Sequence, residues 1–122
     1  MTILLVLLGG AIGAPTRYLT DLMVQSRHDS KVPWGTFTVN VIGSLILGVV
    51  AGAGAGAGLP PWAVTLLGTG FCGALTTFST FSYETVRLID GGSWRAASLY
   101  VALSVTLGFG GCALGWWVGS SL

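Results

Sequence analysis

The chain has 122 residues, 52% of them apolar and only 7% charged, with a mean hydropathy of +0.82. Soluble domains carry about 25% charged residues, so a water-facing surface cannot be covered here and a bilayer must solvate much of the chain. The net charge of +1 comes without a basic patch or tail, which excludes nucleic acid as a partner.

The charged residues divide the chain. They stand at Arg17, Asp21, Arg27, Asp29, Lys31, Glu84, Arg87, Asp90 and Arg95. Between them lie four stretches able to cross hydrocarbon about 30 Å thick, which takes about 20 helical residues. The first helix is predicted over about 2–25. Its start resembles a signal peptide, an apolar run followed by Ala11, Ile12, Gly13 and Ala14. No Lys or Arg precedes that run, Pro15 would follow the cut, and the apolar pattern resumes from Tyr18 to Val24. A retained membrane helix is expected. A polar connector, SRHDSKVP, leads to a second helix over about 34–57, ended by a glycine-rich run and two prolines. The third helix runs over about 61–89, with Pro61 in the favoured first turn. Asp90, Gly91, Gly92 and Ser93 make a turn, Ser93 serving as N-cap, before a fourth helix over about 94–118. The tryptophans at 34, 62, 94, 116 and 117 fall at segment ends, as interfacial anchors do. The expected architecture is all-α: one four-helix transmembrane domain over 1–122, polytopic, with its third helix broken.

Lipid gives such helices no hydrophobic reason to associate, so small residues at four-residue spacing must let backbones touch. Gly9 and Gly13 have that spacing, as do Ser44, Gly48 and Gly52, and Gly111, Gly115 and Gly119. Cys72 and Cys112 lie in apolar runs, match no metal or redox spacing, and read as packing residues. The connectors after the first and third helices share a side and hold or adjoin Arg27, Lys31, Arg87 and Arg95, while the other side has no Lys or Arg. The positive-inside rule then places both termini outside.

Gly68, Gly70 and Gly73 spell a dinucleotide-binding pattern, but no strand precedes them and the setting is an apolar span. Glycine packing or a helix irregularity explains them better. The informative run follows, GALTTFSTFSYE over 73–84, in which seven hydroxyl or carboxyl residues crowd a membrane helix. Polar groups there must be satisfied by protein, water or an ion. Gly70 and Gly73 weaken the helix, and Thr76, Thr77 and Ser79 compete for its backbone bonds. A break leaves free carbonyls, hard oxygen ligands suited to a cation such as Na⁺, and free amides. A hydroxyl-rich packing face is the plainer alternative. Phe78 and Phe81 share one helix face and Ser79 and Ser82 an adjacent one. Ring edges are electropositive, so two of them can favour a small anion without trapping it. Asn40 is either an amide donor or a clamp between helices. Arg17 and Asp21 form either an ion pair or an anion-attracting vestibule. In the fourth helix Tyr100, Ser104 and Gly108 share a stripe: two hydroxyls, then a gap.

GGAIGAPTRY, GTFTVNVIGSLILG and GFCGALTTFSTFSYE resemble the signature blocks of the CrcB/Fluc fluoride channels across the first three helices. The resemblance implies a channel, not an enzyme, through which cytoplasmic fluoride leaves passively across the plasma membrane. It implies a dimer of antiparallel subunits in membrane lipid, two narrow pores, and a central structural Na⁺ that is not transported. Asn40 would be the pore amide, and Phe78 and Phe81 the ring edges. Ser79, Ser82, Tyr100 and Ser104 would complete a polar track, and Arg17 would sit at the vestibule. Gly73 and Thr76 would give backbone carbonyls to Na⁺. Gly108 departs from the family, which often has a hydroxyl there. The one-sided Lys/Arg distribution leaves two arrangements open, a homodimer of antiparallel subunits or a heterodimer with an oppositely oriented paralogue. A small proton-coupled multidrug exporter is the alternative function; it would need a carboxylate within the first helix, and Asp21 lies near its end.

Overall fold

The computed structural model describes residues 1–27 and 32–122; part of the first connector, including Asp29 and Lys31, lies outside them. Helix α1 spans Thr2–Ser26 and α2 spans Trp34–Gly56. The third span is composite: α3 (Pro61–Val64), a π-helical segment (Thr65–Cys72), α4 (Gly73–Leu75) and α5 (Phe78–Asp90). Helix α6 spans Trp94–Ser120. The four spans are each long and apolar enough to cross a membrane, and the third is bent, as the polar run predicts.

Gly58 ends α2 and Gly92 ends α5, at φ of 78° and 80°, a left-handed backbone that only glycine adopts without strain. The small-residue rows do the packing between helices. The row from Gly48 to Gly56 lies on the α6 backbone at Cys112, Trp116 and Ser120, and Gly115 and Gly119 lie on that of α2. A Cβ at Gly119 would sit 2.9 Å from the Ala53 nitrogen, a backbone atom that cannot yield. Gly9 and Gly13 seat α1 against the π-helical segment, where a Cβ at Gly9 would stand 2.7 Å from the Phe71 nitrogen. These two contacts, α2 on α6 and α1 on the π-helical segment, fix the bundle. The remaining apolar core is small, built on Val32, Leu88, Ala97 and Tyr100 at one end.

Candidate functional site

The helix parts at Thr76 and Thr77, whose ψ angles of 157° and 119° are extended. Thr76 closes the upstream part, its N–H and hydroxyl both donating to the Cys72 carbonyl at 3.0 and 2.9 Å. Thr77 is held from outside. Its N–H donates to Asn40 Oδ1 at 2.8 Å, and Asn40 Nδ2 donates to its carbonyl at 3.1 Å. The Thr77 hydroxyl caps α5 by accepting the Thr80 N–H at 3.2 Å. In an unbroken helix the Thr77 and Thr80 N–H groups would bond the carbonyls of Gly73 and Thr76. Both donors are redirected, so these two carbonyls lose their helical partners. Asn40 is therefore a clamp on the break, and its amide nitrogen keeps a second hydrogen to donate.

Past the break, α5 begins with the aromatic pair. The Phe78 and Phe81 ring centroids are 6.2 Å apart, and Phe81 lies 5.1 Å from the Tyr100 ring of α6. Phe78 is 79% exposed on this single chain, whereas Tyr100 is fully buried. Asn40, Ser44, Gly73, Thr76, Phe78 and Phe81 line one recess of about 540 Å³. The hydroxyls of Tyr100 and Ser104 are buried with no hydrogen bond of good geometry among the described residues, the Thr36 hydroxyl being the polar neighbour of Tyr100. Burying an unpaired hydroxyl costs about 1–3 kcal/mol in proteins, so two on successive turns of one helix ask for a ligand or water.

The structure thus brings Asn40, Gly73, Thr76, Phe78 and Phe81 into one recess, with the Tyr100 ring packed at a tilt against Phe81. Ser82 is half-buried, and the exposed Ser79 approaches the Thr77 hydroxyl at 3.4 Å. Ser104 faces a separate recess, beside Ser44 and Gly108. Arg17 lies apart as well, lining a smaller recess of about 140 Å³ with Asp21, Thr36, Thr77 and Thr80. One contact escaped the sequence: Thr36, 3% exposed, donates to Glu84 Oε1 at 2.5 Å. A threonine in an apolar helix carries no signal of an acceptor 48 positions away. No group of three His, Cys, Asp or Glu residues able to hold a metal occurs among the described residues. A cation at the break would rely on carbonyl oxygens.

A family model described as CrcB-like protein, Camphor Resistance (CrcB), matches residues 4–116. The chain belongs to this family. Within it, the chain is similar to "Fluoride-specific ion channel FluC 1" of Frankia casuarinae, at 60% identity over 94% of this chain and 93% of that protein. It is 50% identical to the Streptomyces avermitilis protein of the same name, over 100% of this chain and 98% of the relative. With "Fluoride-specific ion channel FluC" of Shewanella woodyi it shares 47% identity over 86% of this chain and 85% of the relative. Family membership and four membrane-capable helices make the chain a multi-pass membrane protein.

Proposed function

We propose that this chain forms a fluoride-specific channel through which fluoride leaves the cell passively, lowering its toxicity. The relatives' names support that reading, and the observation that carries it is the pair of unpartnered hydroxyls on Tyr100 and Ser104 behind the Phe78–Phe81 rings. Fluoride is small and strongly hydrated, so a path must replace its water with donors. Asn40 keeps one amide hydrogen, Tyr100 and Ser104 offer hydroxyls, and Ser79 and Ser82 extend the donor set along α5. The rings line the path with positive edges and narrow it against larger anions. Arg17 draws anions toward the smaller recess that it lines with Thr36, Thr77 and Thr80.

The working unit is a dimer. Exposed Phe78, Ser79 and Gly73 lie inside a membrane span, where lipid satisfies neither hydroxyls nor carbonyls. A partner of opposite orientation covers them, either a second copy or, given the one-sided Lys/Arg distribution, a paralogue. The carbonyls of Gly73 and Thr76, deprived of helical donors, fit a structural Na⁺ shared between the subunits. Such an ion would supply positive charge at the break and would not itself be transported. The exporter reading gains no support, because Asp21 packs on Gly35 near the end of α1, far from a central carboxylate position.

Expression in bacteria lacking their fluoride exporter tests the function. Growth should return at fluoride concentrations that stop the parent strain. Continued sensitivity with the protein present in the membrane would contradict it.

A further inference from the structure

The hydroxyl stripe of α6 stops at Gly108, one turn beyond Ser104. Across the gap stands Ser44 of α2. A Cβ built on Gly108 would meet Ser44 Oγ at 3.8 Å, ordinary contact distance, so Gly108 leaves room in front of that hydroxyl. Ser44, Ser104, Gly108 and Cys112 line a recess of about 280 Å³. Ser44 also lines the larger recess of Asn40, Phe78 and Phe81, and it follows Asn40 by one turn on the same helix face. It therefore stands on the wall common to both recesses. The Ser104 hydroxyl beside it is buried and unpartnered. The Cys112 thiol is too weak a donor to close the gap.

We propose that the Ser44 hydroxyl is a fluoride-binding step, handing the ion between the Asn40–Phe78–Phe81 recess and the Ser104 recess. Helix α2 supplies at the level of Gly108 the donor that α6 lacks. The small side chain at 44 is thus a ligand as well as part of a packing row. This rests on the fluoride-channel reading, and its test separates the two.

Fluoride and chloride efflux from liposomes is compared for the wild type, Ser44→Ala and Ser44→Ala with Gly108→Ser. The wild type should pass fluoride selectively, and Ser44→Ala should slow it by roughly tenfold or more, the scale of one lost hydrogen bond to a charged group. The added serine at 108 should restore most of the rate. Wild-type flux in Ser44→Ala would overturn the proposal, as would slow flux that Gly108→Ser leaves unrescued. If the alanine chain fails to assemble, the near-isosteric pair Ser44→Thr and Ser44→Val decides. Threonine should conduct and valine should not, and equal rates would overturn the proposal. A wild type that passes fluoride no faster than chloride would instead remove the channel reading beneath it.

Discussion

At Thr77 the backbone exchanges its helical bond for the Asn40 side chain, and the carbonyl accepts from the same amide. The sequence left Asn40 open between clamp and pore donor, and the geometry permits both, one hydrogen engaged and one free. Phe78 and Phe81 were readable because three-residue spacing puts them on one helix face, and Tyr100 and Ser104 because four-residue spacing does the same. Thr36 and Ser44 were not readable. Each looks like a small packing residue until α5 or α6 is placed beside it. The ring pair carries a direct prediction. Phe78→Ile and Phe81→Ile keep apolar bulk but remove the electropositive edges, so each should cut fluoride flux at least roughly tenfold, about 1.4 kcal/mol of barrier, while the protein still assembles. Unchanged flux in both variants would remove the ring-edge mechanism.

Among the elements, the third span departs most from a simple reading. Glycines at 70 and 73 mark it as weak, yet the backbone stays helical through Gly73, at φ −61° and ψ −37°, and parts only at Thr76 and Thr77. Glycine lowers the cost of a break, but the break falls where an outside partner, Asn40, waits for the backbone. The glycines at 68 and 70 announced packing or a helix irregularity, and both lie in the π-helical turn over Thr65–Cys72, though nothing in the residue types named its wider bond pattern. It lies where Gly9 and Gly13 let α1 reach the backbone of the third span. The Gly73 and Thr76 carbonyls, left without their helical donors at Thr77 and Thr80, make Na⁺ the element-scale test. Replacing Na⁺ by a bulky organic cation should lower the thermal unfolding temperature in detergent or reduce the assembly size read by gel filtration. Indifference of both readouts would refute the carbonyl site.

For the whole molecule, composition and charge spacing made four membrane helices legible, since charges are costly at mid-bilayer and few stand within a span. Pairing within the bundle was not legible. The glycine rows announce close contact without naming partners, and only the structure joins the α2 row to α6. Orientation is still carried by the sequence alone. A cysteine at Asp90, in a chain with Cys72 and Cys112 replaced, should label from one side of the membrane if the arginine bias fixes one topology. Equal labelling from both sides would mean that the chain inserts both ways and pairs with itself.

Efflux from liposomes holding only the purified protein measures passive, fluoride-selective conduction without cellular help. A passive channel should release fluoride rapidly without a proton gradient and retain chloride. Fluoride release no faster than chloride release, or release only with a proton gradient, would contradict it.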